Sequence, residues 1–281
     1  DAVSTIIAKG ANLLGPEERG QDGNGPEPGP GDPQDSAQPS GPRLYPSEAS
    51  ILCQDFISWA NAYQGPMFNF IHCDFPYGIG VFGGDMSGRK SWQTYSDKPD
   101  IYWDLCEALC SNLDRLMANS GHLMFWFSME HYSTTIEFFR RRAPSLEFQA
   151  FPLIWTKSDN VGILPDAKRG PRRIYETALI ASREDRLILK PVSNSYPAPT
   201  DKAHHPSTKP EPVLRHFFQM FVDQGTRILD PTCGSGSALR AAESLGALPQ
   251  NVLGLEQDPE HCENARGALK RFRVLKAMER A

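Results

Sequence analysis

Apolar positions recur along this chain in two rhythms, and the segments that carry them alternate. Residues 49–53, 68–73 (FNFIHC), 122–127 (HLMFWF), 149–155, 177–182, 227–229 and 252–255 are short runs of strand-forming residues. Between them lie segments with helical spacing: 56–63, 102–117, 130–142, 212–221, 237–245 and 259–272. In 102–117, Leu105, Leu109, Leu113 and Leu116 fall on one side. Strands that read as nearly unbroken apolar runs are those covered on both faces. The alternation therefore predicts an α/β fold, a mainly parallel sheet with helices on both faces. No internal repeat is present.

The pattern fails at the beginning. Residues 15–42 are dense in Gly, Pro, Asp, Gln and Ser and nearly free of apolar side chains. Such a stretch buries too little surface to fold, so it reads as a flexible linker. Residues 1–14 then read as the tail of an upstream element, in keeping with a start at Asp1 rather than Met, and 43–281 as the main domain. With 281 residues, 40% of them hydrophobic, the chain has ample material for a core. No eighteen-residue apolar run is present, so no membrane span is expected, and the first residues lack a secretory layout. The formal charge of −5 argues against a protein that coats nucleic acid non-specifically, while leaving room for one local basic strip. The six cysteines form no CxxC pair and no zinc-ligand spacing, so no metal is expected. Free thiols fit a cytoplasmic setting, nucleoid-associated in a bacterium or phage.

The strongest local chemistry follows the strand at 227–229. Asp230–Pro231–Thr232–Cys233–Gly234–Ser235–Gly236 is a tight turn with two glycines, and a helix begins at once. Glycine allows positive φ and close backbone approach to a ligand, and the first turn of the helix offers unpaired N–H groups. Glu256, twenty residues after Gly236, ends the next strand, where a carboxylate can receive ribose hydroxyls. Neither GxGxxG nor GxxxxGK[ST] is met, which speaks against a dinucleotide oxidoreductase and excludes a P-loop. The combination predicts a nucleoside site in a Rossmann-like frame.

DPTCGSG followed by VLGLEQD resembles the cofactor motifs of S-adenosylmethionine-dependent methyltransferases. Asp74–Phe75–Pro76–Tyr77, directly after FNFIHC, resembles the Asp-Pro-Pro-Tyr tetrapeptide of DNA amino-methyltransferases. His205–Pro206–Ser207–Thr208–Lys209–Pro210 resembles the His-Pro element that precedes their cofactor turn. The tetrapeptide comes before the turn, as in the circularly permuted β group of that family, and the resemblance spans about residues 44–270. It implies S-adenosylmethionine as cofactor, held by Asp230, Thr232, Cys233, Gly234, Gly236 and Glu256, with Lys209 and Pro210 contributing. In the permuted order the strand at 49–53 would bring Asp55 and Phe56 to the cofactor adenine. Asp55 also reads as a helix N-cap and Phe56 as a core residue.

The resemblance implies transfer of a methyl group to the exocyclic amine of a base in DNA, adenine N6 ahead of cytosine N4 because Asp stands first in the tetrapeptide. RNA adenine is a further alternative. An aromatic amine is a poor nucleophile, and its nitrogen gains positive charge as it attacks. Asp74 and the Phe75 carbonyl would accept its two N–H groups, Pro76 would fix the turn, and Tyr77 would stack on the base. The base must be single-stranded or flipped out. Phe75 departs from the family's Pro, which removes backbone rigidity but keeps the carbonyl.

Lys157, Lys168, Arg169, Arg172 and Arg173 form the basic strip best suited to phosphate, although a solvated surface loop would look the same. Tyr175–Glu176 matches a turn of the family with no role attached. Residues 78–97 are Gly-rich and polar and read as a mobile loop that closes over the site. Only about residues 187–203 precede the His-Pro element, too few for a recognition domain. Recognition would then fall to an upstream domain or a homodimer. A rival of another class is a non-catalytic nucleic-acid-binding module on the same fold.

Overall fold

The computed structural model describes residues 50–79, 97–164, 166–184, 186–201 and 208–279. The chain parts into two units, Asp1–Gly41 and Pro42–Ala281. The 1–14 tail, the 15–42 linker, most of the loop expected to close over the site, and His205, Pro206 and Ser207 lie outside the described residues.

In chain order the elements are β1 (Ile51–Cys53), α1 (Phe56–Ala62), β2 (Phe68–Cys73), α2 (Pro99–Ser111), α3 (Leu113–Leu116), β3 (Met117–Phe127) and α4 (Tyr132–Arg142). There follow β4 (Leu146–Phe148), β5 (Leu153–Lys157), β6 (Tyr175–Arg183), β7 (Ser195–Ala198), α5 (Glu211–Phe218), β8 (Ile228–Asp230), α6 (Ser237–Ser244), β9 (Val252–Glu256) and α7 (Pro259–Met278). The strands join in one sheet, ordered β1-β9-β8-β2-β3-β6-β5-β7, with β4 also paired to β6. β1, β9, β8, β2 and β3 run parallel. β6 runs antiparallel to β3, β4 and β5. The parallel expectation thus holds for the half of the sheet that carries the glycine turn and the tetrapeptide.

Alternation along the central strands explains why both faces are filled. Ile71 and Cys73 of β2, with Leu123, Phe125 and Phe127 of β3, join α1, α2 and α4 in one core. Phe70, Met124 and Trp126 point the other way and pack with Val213, Phe217 and Leu239 of α5 and α6 and Cys262 of α7. All six cysteines are free, five of them buried.

Several boundaries differ from the pattern. The single helix expected over 102–117 is broken at Asn112. Its buried side chain donates to Ala108 O (2.9 Å) and to Asn61 Oδ1 (3.0 Å), so it competes with the helical ladder there. β3 consequently starts at Met117 and is eleven residues long. β5 begins at Leu153 rather than 149, and α7 runs on to Met278. β4 and β7 are short strands that the apolar rhythm did not announce. β7 contains Pro197, which an edge strand tolerates because one side of it needs no ladder bond.

Among the described residues no helix is long and apolar enough to cross a membrane, and no group of three His, Cys, Asp or Glu is placed to hold a metal ion.

Candidate active site

β2 and β8 are parallel neighbours, so the segments that follow them leave the same edge of the sheet side by side. Thr232 Oγ1, in the glycine turn, donates to the Asp74 backbone carbonyl at 3.2 Å. The two loop tips are thereby tied into one wall of a cleft of ≈ 780 Å³. That size lies within the range of about 300–1,000 Å³ usual for small-molecule sites, and its place outside the carboxyl ends of parallel strands is the usual one in such sheets.

On the β8 side the surface is mostly backbone. Gly234 and Gly236 have φ of +49° and +74°, the left-handed conformation the turn requires. A Cβ on Gly234 would meet nothing within 4 Å, and Gly236 occupies the N-cap position of α6. The turn rests on β9 through Cys233 N–H, which donates to Leu255 O at 2.8 Å. At Gly254 a Cβ would lie 2.7 Å from Cys233 Sγ, so only glycine permits this approach. Asp230 is buried beneath the turn. One of its oxygens accepts from Thr232 N–H (3.2 Å) and the other faces His72 Nδ1 (3.1 Å). Trp126 Nε1–H donates to His72 Nε2 at 3.0 Å. His72 must therefore carry its proton on Nδ1 and donate it to Asp230. Glu256, at the end of β9, accepts from Asp258 N–H at 2.8 Å and lines the cleft. Burial pushes its carboxyl above the ordinary value, opposed by the Asp258 and Gly234 backbone.

On the β2 side the surface is charged. Lys209 Nζ lies 2.7 and 2.8 Å from the two Asp74 oxygens and 3.0 Å from Glu176 Oε2. Glu176 Oε1 pairs with Lys157 at 2.7 Å, and the Tyr77 hydroxyl donates to Glu176 Oε2 at 2.9 Å. Lys209 is only 4% exposed and sits 5.1 Å from the Trp126 ring and 5.4 Å from the Tyr77 ring. Two carboxylates and two ammonium groups thus form a balanced cluster. Burial raises Asp74 above the usual carboxylate value, with Lys209 opposing. Glu176 is also penalised by burial, but Lys209 and Lys157 outweigh that and hold it at about 2. Lys209, between two carboxylates, is held above the ordinary lysine value despite its burial.

Nearly all the residues singled out from sequence line this one cleft: Asp74, Phe75, Pro76 and Tyr77, then Lys209, Asp230, Thr232, Cys233, Gly234 and Glu256, and also Asp55 and Phe56. Pro210 is buried and stands at the N-cap position of α5. Asp55 caps α1, accepting from Ser58 N–H at 2.8 Å, so the capping reading is realised at a residue that also faces the cleft. Phe56 is 2% exposed and its ring centroid is 5.9 Å from that of Phe75. Phe75 also meets Phe125 edge-on at 5.6 Å. The side chain that replaces the family's Pro is therefore an anchor in the core, and packing supplies the rigidity the ring would have given.

The basic residues divide. Lys157 turns inward to Glu176, and Arg173 pairs with Glu130 at 2.7 Å. Arg172 donates to Gly162 O at 3.3 Å, while the largely exposed Arg169 lies 3.6 Å from Asp166. An antiparallel bridge between Ile163 and Arg173 closes the base of this turn, and Ile163 lines the cleft. Lys168 is exposed on the same turn.

His72 and Trp126 were not singled out from sequence, and Glu176 was noted only as part of a family turn with no role attached. The available signals were faint: a histidine in the otherwise apolar FNFIHC, and an acid opening a strand whose next residues are buried.

Comparison with known proteins bears on the fold and the family. M1.HpyAVI, solved as a complex with SAM, superposes with a TM-score of 0.59 at 19% identity over 78% of this chain and 98% of that one. PvuII DNA methyltransferase (cytosine-N4-specific) does so with a TM-score of 0.53 at 12% identity over 76% and 84%. These likenesses establish the fold, a Rossmann-like methyltransferase sheet. The CCA-adding enzyme of Methanopyrus kandleri is 30% identical over 98 residues, which is 33% of this chain and a 20% share of that protein's length. The model of the DNA methylase family N6_N4_Mtase matches residues 68–267, from the first residue of β2 into α7. By that match over most of its length, the chain belongs to the N6/N4 family of DNA methylases.

Proposed function

We propose that the cleft binds S-adenosylmethionine and that the chain transfers its methyl group to the exocyclic amine of a DNA base, adenine N6 first. The observation that carries this reading is the hydrogen bond from Thr232 to the Asp74 carbonyl, since it joins a nucleoside-type turn to an amine-accepting carboxylate in one cleft. The residues present fit the cofactor. Glu256 ends β9 where ribose hydroxyls would lie, Gly234 leaves the turn open, and Asp55 and Phe56, which line the cleft after β1, would meet the adenine. When bound, S-adenosylmethionine supplies an electrophilic methyl group.

The chain's own residues do the rest. Asp74 accepts one amine N–H and the Phe75 carbonyl the other, so both acceptors stand where positive charge develops. Tyr77, tethered through its hydroxyl to Glu176, offers its ring to the base. A base reaches this depth only when single-stranded or extruded from the duplex. The basic turn of Lys168, Arg169, Arg172 and Arg173 would meet the neighbouring phosphates at the cleft mouth. Lys157, committed to Glu176, serves the site and not the backbone of DNA. The folded domain would draw its sequence choice from an upstream segment or a second copy, and it would work in the cytoplasm or nucleoid.

The test is transfer of labelled methyl groups to defined oligonucleotides, followed by nucleoside analysis. N6-methyladenine is the expected product. N4-methylcytosine would move the assignment to the other base, and cofactor binding without transfer to any nucleic acid would favour a binding module.

A further inference from the structure

We propose that Glu176 is the charge-balancing positioning residue of this site: its carboxylate offsets Lys209, so that Asp74 can face a nitrogen that turns cationic. The inference rests on the reading that Asp74 receives the substrate amine. Lys209 holds both Asp74 oxygens, at 2.7 and 2.8 Å. A carboxylate has about four lone-pair sites, so two remain for the amine. The ammonium is nevertheless close to the point where positive charge develops, and in a buried site that repulsion is weakly screened.

Glu176 counters it from the opposite side. It accepts from Lys209 (3.0 Å), Tyr77 (2.9 Å) and Lys157 (2.7 Å). Those donors come from the segment before α5, the segment after β2, and β5, while Glu176 belongs to β6. One carboxylate therefore fixes the lysine that orients Asp74 and the ring that would meet the base. Lys157, on its outer oxygen, brings the cluster to neutrality. The groups facing Asp74 are Lys209, Glu176, His72 and the Tyr77 hydroxyl. Among them Glu176 raises the Asp74 carboxyl and Lys209 lowers it. Neutralising Glu176 should leave Lys209 unopposed and drive Asp74 toward a tighter, less basic pair.

The experiment combines a carboxyl-carbon NMR titration with kinetics on wild type, E176Q, E176D and K157M/E176Q, the Asp74 signal being the one missing from D74N. In E176Q the Asp74 midpoint should move to lower pH. Its kcat should fall about tenfold or more while the cofactor KM stays within about threefold, the pattern of an interaction made only in the transition state. E176D keeps the charge and should retain the wild-type midpoint. K157M/E176Q restores the net charge but leaves Lys209 unopposed, so its kcat should stay low. An unmoved midpoint in folded E176Q, or wild-type kcat in the double variant, overturns the proposal. The titration needs no turnover. A midpoint that shifts as expected in E176Q, with a wild type that methylates no DNA, would sink the methyl-transfer reading and leave the Glu176 coupling standing.

Discussion

At the end of β8 the cleft is built from backbone, from two positive-φ glycines and a turn resting on a glycine of β9. One strand away, at the end of β2, it is built from charged side chains drawn from four separate parts of the chain. The first surface can approach a ligand closely and offers N–H dipoles without titrating. The second can hold and adjust charge, and burial makes each member dependent on the others. A group-transfer enzyme needs both, one side to hold a donor still and one to meet a change of charge. The division suggests that binding and chemistry can be damaged separately.

The sharpest way to break that comparison is Asp74→Ala. Transfer should fall at least about a hundredfold, typical for loss of one transition-state partner. Cofactor affinity, measured by calorimetry, should change little. Equal losses of both would mean that the two sides are not separable.

Gly254→Val attacks the other side. A side chain there would strike Cys233 and lift the glycine turn from β9. The expected cost is about 1–3 kcal/mol in denaturant unfolding, as for other overpacked sites, accompanied by weakened cofactor binding. A variant as stable as wild type would show that the turn does not need this contact.

Asp55 sharpens the comparison. Asp55→Ala should cost about 1 kcal/mol through loss of the cap on α1, whereas Asp55→Ser keeps a capping oxygen and most of the stability. If Asp55 also receives the cofactor adenine, Asp55→Ser will still lose affinity for S-adenosylmethionine. If it is a cap alone, affinity will follow stability.

The smallest effects are in acid, and they differ in sign between Glu176 and Glu256. Glu176 sits at about 2 in the folded protein against 4.5 ordinarily, so its stabilisation is present above pH 4.5 and lost as the pH falls toward 2. Glu256 is raised by burial, so the folded protein takes up its proton first and gains stability as the pH falls through that value. On acidification, the stability of wild type relative to Glu176→Gln should decline, and that relative to Glu256→Gln should improve. Parallel behaviour in urea titrations at pH 7 and 4 would contradict the opposed shifts.

Much of the frame was legible because its causes are local. FNFIHC and HLMFWF announce buried strands by composition, and DPTCGSG announces its turn because glycine takes positive φ at no steric cost. Asn112 shows where such reading fails. Its spacing continues a helix, and only the partner at Asn61 makes it a break. Phe75 looked like a loss of rigidity until Phe56 and Phe125 were found around it.

The alternating α/β plan, the glycine turn with its acid twenty residues on, and the carboxylate that follows β2 can all be read along the chain. Each is specified by neighbours a few residues away, through side-chain period, backbone conformation or turn chemistry. Folding alone brings Lys209 to Asp74, gathers three donors on Glu176, and turns Lys157 inward to that carboxylate. Those partners are tens of residues apart along the chain, and no local pattern records which charges the folded sheet will bring within 3 Å of one another.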